Sequence, residues 1–223
     1  MNALGNLVDN SEARTCISCE EAMPPLLQHL QSGADDQKGF AAYTLGRLCD
    51  GNDTYTTTIA RREAAGHLIK LLESDTTMKK TFAAYALSRL SGDIDANLVA
   101  IATAGAIPPL VRLLRSGNSL QTLYAATALG GLAKNALNSL TIANEGVVPD
   151  FILLVRLGRD AQNEKAAVAL LCLAEIDVGS TSIVDEGSIS PRLILVRGTE
   201  AQKEVALRVL TKLFSLLQTD MPD

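Results

Sequence analysis

The chain has 223 residues, a net charge of −5, 47% apolar residues, 4% aromatic residues and no Trp. Aliphatic content this high with so few rings argues against a β-sandwich and for closely packed helices, and the acidic balance speaks against nucleic acid, whose phosphates call for clustered Lys and Arg. No apolar run reaches the ~18 residues that cross a bilayer, Met1–Asn10 lacks the basic and apolar regions of a secretory signal, and four cysteines are too few for a disulfide scaffold, so a cytoplasmic or nuclear setting is expected.

In chain order, Ala3-Leu-Gly-Asn-Leu7 aligns on the later Ala128-Leu-Gly-Gly-Leu132. Residues 1–7 therefore read as the end of an earlier repeat, and the chain is expected to be a fragment of a longer stack, with a cap improvised from this helix as the alternative. Cys16-Ile-Ser-Cys19 follows, on an expected first helix. A zinc site needs four ligands and has no second pair here, so these cysteines read as small apolar residues. Next comes Met23-Pro-Pro-Leu-Leu-Gln-His-Leu-Gln-Ser-Gly33, with relatives beginning at Gly66, Ile107, Val148 and Ser190. Its anchor positions Leu26, Leu68, Leu110, Phe151 and Leu193 are spaced by 42, 42, 41 and 42 residues. A fixed period of this length is the mark of a solenoid.

A second block keeps step with the first: FAAYTLGRL at 40–48, FAAYALSRL at 82–90, YAATALGGL at 124–132, KAAVALLCL at 165–173 and VALRVLTKL at 205–213. Three columns are invariant: Ala41/Ala83/Ala125/Ala166/Ala206, Leu45/Leu87/Leu129/Leu170/Leu210 and Leu48/Leu90/Leu132/Leu173/Leu213. Offsets of four and three put them on one helical face. The Ala column lets neighbouring helices approach, and the Leu columns fill the interior. Ala125→Leu is expected to overpack it, whereas Gln121, placed at the exposed start of its helix, is expected to tolerate Leu.

Each unit reads as three helices. Short first helices are predicted at Asn97–Thr103 and Ser139–Asn144. A Gly-x-x-Pro corner follows (Gly105 to Pro108, Gly146 to Pro149), with Pro opening the second helix, where its missing N–H costs nothing. Gly33, Gly117, Gly158 and Gly198 are expected to end second helices in the left-handed conformation, with Asp75 in their place once. The third and longest helix carries the Ala–Leu–Leu face. The fold expected is all-α, one domain: a right-handed superhelix of about five repeats at 8–49, 50–92, 93–134, 135–175 and 176–217, and a polar tail at 218–223.

A repeat of about 42 residues with GAIPPLVRLLRSG followed by AAxALxxLA resembles the armadillo repeat over nearly the whole chain. The resemblance implies a protein-binding scaffold and no enzyme, with no cofactor or metal. It also implies that third helices line a concave groove, with the residues two before and two after the first Leu column pointing into it. Those are Tyr43 and Arg47, Tyr85 and Arg89, Thr127 and Gly131, Val168 and Cys172, and Arg208 and Lys212, with Asn2 and Asn6 in the partial helix. Importin-α is similar in this register but carries Trp and Asn there. Arg47, Arg89, Arg208 and Lys212 would repel a basic localisation peptide. They are more like the basic groove of β-catenin-type proteins, which implies extended partner segments with acidic or phosphorylated residues; a transport adaptor of the importin-α kind is the alternative.

Other chemistry finds little support. His29 stands in a column of leucines and His67 in a column of prolines, in different repeats, so no catalytic triad is in prospect. Gly130-Gly131-Leu-Ala-Lys134 lacks P-loop spacing. The apolar ends (Leu4, Leu7 and Val8; Leu213, Phe214, Leu216 and Leu217) are expected to promote self-association, because repeat stacks need polar caps.

Overall fold

The computed structural model describes residues 19–50, 53–61 and 64–175, together with Lys203, Leu207 and Thr211. Eleven helices and no strands occur among the described residues: α1 (Cys19–Ser32), α2 (Asp35–Leu48), α3 (Asp53–Arg61), α4 (Ala64–Leu72), α5 (Thr77–Leu90), α6 (Asp95–Thr103), α7 (Ile107–Ser116), α8 (Ser119–Leu132), α9 (Ala136–Asn144), α10 (Val148–Leu157) and α11 (Asp160–Ala174). They belong to two compact units, Met1–Gly131 and Leu132–Asp223. The apolar ends expected to self-associate lie outside the described residues.

In the first unit the long helices α2, α5 and α8 are third helices, and their invariant columns form the core. Ala41, Ala83 and Ala125, and Leu45, Leu87 and Leu129, have no solvent exposure. Leu48 and Leu90 are as deeply buried. Burial of one such leucine contributes about 1.5–3 kcal/mol, so these columns dominate the cohesion of the stack. In the second unit Leu132, Ala166 and Leu173 are fully buried and Leu170 nearly so. Ala206, Leu210 and Leu213 lie outside the described residues.

The corner between first and second helices is sharp. α6 and α7 meet at 82°, and Gly105, with φ of 88°, makes the bend; Gly146 repeats it with φ of 64°. A side chain rarely adopts this backbone conformation. Prolines then occupy the first turn of α7 and of α10. The first helices begin earlier than predicted, at Asp95 and Ala136. The Asn135 carboxamide caps α9 by accepting from the Leu137 and Asn138 N–H groups at 3.1 and 3.2 Å, a strong N-cap signal in the sequence. α1 also differs, for it starts at Cys19 and runs through Pro24 and Pro25 instead of opening on them.

Two expectations about polar positions are corrected. Gly117 and Gly158 are extended, not left-handed (φ −75° and −69°), and positive φ among the described residues is confined to Gly105 and Gly146. Space selects glycine here. A Cβ at Gly33, Gly117 or Gly158 would stand 2.5 Å from the carbonyl of His29, Leu113 or Leu154. Gly198 lies outside the described residues.

Gln121 is the second correction. It is buried, 5% exposed, because its carboxamide ties two repeats together. Its oxygen accepts from the Asn118 N–H at 3.0 Å, and its nitrogen donates to the Thr77 carbonyl and the Thr81 hydroxyl on α5, each at 3.2 Å. Gln37 and Gln162 make the same local bond, accepting from Ala34 and Arg159 at 2.9 and 3.0 Å. In the second repeat Lys79 takes this column, and its ammonium reaches Asp35 at 2.9 Å and Asp75 at 3.5 Å. The hydrogen bond and charge of Lys79 hold Asp35 below its ordinary pKa, and Asp35 raises that of Lys79. The departure of Asp75 from the glycine column is thus matched by Lys79 in the glutamine column. Gln121→Leu is accordingly expected to destabilise the protein by about 1–3 kcal/mol by stripping partners from buried polar groups, read as a lower urea midpoint. The exposed Leu120→Gln is expected to stay within about 0.5 kcal/mol of wild type.

Candidate peptide-binding face

Tyr43 and Tyr85 occupy the same place on α2 and α5, two residues ahead of the buried leucine column. The structure brings them together: their rings stack at 5.7 Å between centroids. Gly46 makes room for this contact, since a Cβ there would come within 2.8 Å of the Tyr85 ring. The ladder is wider than the two tyrosines. Phe82 packs against Phe40 at 6.2 Å and Tyr43 at 5.1 Å, and Tyr124 meets Tyr85 edge-on at 5.2 Å. Offset and edge contacts of this kind are the favoured aromatic geometries. Burial and the neighbouring Tyr85 raise the Tyr124 hydroxyl above the ordinary phenol pKa.

One helical turn on from the tyrosines stand Arg47 and Arg89. Both bind Asp50, Arg47 at 3.7 Å and Arg89 through its Nη2. Asp50 lies in the turn that ends α2, where its N–H donates to the Arg47 carbonyl at 3.2 Å. Beside this cluster is a cleft of about 480 Å³, lined by Asp50, Asp53, Ser88, Arg89 and Asp93 among others.

The other predicted residues fare differently. Thr127, on α8, turns its hydroxyl back to donate to the Leu123 carbonyl at 2.8 Å, and the ring of this row comes from Tyr124 instead. Gly131 fills the arginine column because α8 lies against the end of α5: a Cβ would overlap the Ser91 carbonyl at 2.1 Å. Val168 and Cys172 are half-buried on α11 of the second unit, and Arg208 and Lys212 lie outside the described residues. Among the described residues no group of three His, Cys, Asp or Glu side chains is placed to hold a metal ion.

Residues 95–134 match the family described as Armadillo/beta-catenin-like repeat. An engineered protein of known crystal structure is similar with a TM-score of 0.88 and 25% identity, over 96% of this chain and 88% of its own. A designed armadillo repeat protein gives 0.87 and 18% identity, over 95% and 90%. The chain carries an armadillo repeat and has the armadillo fold. A second designed armadillo repeat protein, solved in complex with the peptide (KR)4, gives 0.84 and 17% identity, over 95% and 90%. Comparison with curated proteins gives no match.

Armadillo periodicity alone did not reveal Asp50, Phe82 or Tyr124 as parts of this face. The column Phe40/Phe82/Tyr124 did carry a signal, since it lies three residues ahead of Tyr43/Tyr85/Thr127 and so on the same side of each helix. For Asp50 the signal is a spacing of 39. Arg89 reaches Asp50 and Arg112 reaches Glu73, each 39 residues back, so a side chain of one repeat meets the preceding repeat three residues short of the period.

Proposed function

We propose that the face of α2, α5 and α8 binds an extended segment of a partner protein in which acidic or phosphorylated residues alternate with apolar ones. The observation that carries this reading is the pairing of an aromatic ladder with two arginines on successive third helices. Packed helices lie about 8–10 Å apart, and an extended chain advances about 3.3–3.6 Å per residue. A bound segment thus meets a new row every two to three residues. Each ring offers an apolar surface, and each guanidinium offers several N–H donors to an acid group or a main-chain carbonyl. That a designed protein of this fold is solved with a peptide supports the mode of binding. The charge of (KR)4 is opposite to the ligand proposed here, because Arg47 and Arg89 disfavour a basic segment, and with it an importin-α-like role.

The test uses three fluorescent ten-residue peptides that alternate leucine with phosphoserine, glutamate or lysine. The phosphoserine peptide is expected to bind and the lysine peptide to fail, with affinity falling as salt rises. The double variant Arg47→Gln, Arg89→Gln is expected to weaken phosphoserine binding by more than about tenfold, the scale of losing charge-assisted hydrogen bonds. Undiminished binding by the folded double variant would move the working surface elsewhere, to the outer second helices.

A further inference from the structure

Two arginines share one carboxylate. In the first repeat Arg47 is followed by Asp50 at i+3, but in the second repeat Arg89 is followed by Gly92. Asp50 therefore serves both guanidiniums, reaching forward across the repeat boundary to Arg89. Its place is fixed by the main chain, through the hydrogen bond of its own N–H to the Arg47 carbonyl. The carboxylate is also partly sheltered, with 29% of its side chain exposed beside 23% for Arg47 and 39% for Arg89.

We propose that Asp50 is an internal counter-ligand that sets the selectivity of this row, turning away single carboxylates and admitting phosphoryl groups. The proposal rests on the reading of this face as the binding surface. A carboxylate from a partner would replace Asp50 like for like, and Asp50, tethered one turn from Arg47, competes at a high effective concentration. Nor does excess positive charge draw a monoanion in. Asp53 and Asp93 border the same cleft as Asp50 and Arg89, so three carboxylates and one guanidinium line it. A phosphoryl group changes the balance. It carries nearly two negative charges and three acceptor oxygens, enough to take paired N–H donors from both arginines at once. Attraction at contact distance then outweighs repulsion from the exposed carboxylates at the cleft margin, because the interaction falls with separation.

The phosphoserine and glutamate peptides are titrated into wild type, Asp50→Asn and Asp50→Ser, each first checked for a folded thermal transition. Wild type is expected to favour the phosphoserine peptide by about tenfold, the difference expected between bidentate phosphate and carboxylate recognition. Asp50→Asn is expected to tighten glutamate-peptide binding by about fivefold and to shrink the preference below about threefold, since the arginines no longer share that carboxylate. A wild-type preference below about threefold, or one that both Asp50 variants leave unchanged, overturns the internal-ligand role while the binding face stands. If neither peptide binds any of the three proteins, the binding face and the counter-ligand fall together.

Discussion

Gly131→Ala is expected to destabilise the protein by about 2 kcal/mol, although alanine is the better helix former. Within a helix the exchange by itself favours alanine by about 1 kcal/mol. Against this, the new Cβ would stand 2.1 Å from the Ser91 carbonyl oxygen and 2.8 Å from the Ser91 Cβ. Ser91 has little freedom to retreat, because its N–H and hydroxyl both donate to the Leu87 carbonyl at the end of α5, at 2.9 and 2.8 Å. Overpacking against a fixed backbone costs about 3 kcal/mol, which leaves the net loss stated. Gly92→Ala is the control: a Cβ there meets nothing within 4 Å, so the change is expected to lie within about 0.5 kcal/mol of wild type. Equal urea midpoints for the two variants would mean that α8 does not approach α5 this closely. Gly131 also stands in the column of Arg47 and Arg89, so this packing is what denies the third row a guanidinium.

The fold was legible in the sequence because its determinants repeat. The Ala–Leu–Leu columns recur with the period, and a face that recurs five times can be read without knowing what it touches. What could not be read falls between repeats or depends on local space. Gln121 sits near a helix start, where side chains are usually solvated; only the neighbouring repeat, through Thr77 and Thr81, makes it a buried tie. The glycines ahead of the third helices look like left-handed caps by residue type. Their role depends on the Cβ of the following glutamine, 2.8–3.2 Å from the Cβ that Gly33, Gly117 or Gly158 would carry. At the candidate site, Tyr43, Arg47, Tyr85 and Arg89 followed from the column rule. Asp50 did not, since it occupies no groove column and acts through a contact 39 residues away.

Tyr85→Ala is expected to be the most damaging single change on the candidate face, by about 2–4 kcal/mol, around the lower end of the range for deleting a large ring from packed surroundings. The ring is half-buried, which moderates the loss, but it is the joint of the ladder. It stacks on Tyr43 at 5.7 Å, takes the edge contact with Tyr124 at 5.2 Å, and covers the gap left by Gly46 on α2. Each ring pair adds about 0.5–1.5 kcal/mol beyond area burial, and truncation loses two. Tyr85→Phe keeps every ring contact and is expected to stay within about 1 kcal/mol of wild type, so the pair of variants separates the ring from its hydroxyl. Tyr124→Ala removes one of the ladder contacts of Tyr85, and a double-mutant cycle over Tyr85 and Tyr124 is expected to return a coupling of about 0.5–1.5 kcal/mol. The same variants decide whether the ladder is part of the binding surface. If the rings hold the apolar residues of a bound segment, Tyr85→Ala weakens the phosphoserine peptide at temperatures where the variant is fully folded, while Tyr85→Phe leaves it unchanged. If the folded Tyr85→Ala protein binds with wild-type affinity, the ladder only packs α2 against α5 and α8, and recognition falls to the arginines alone.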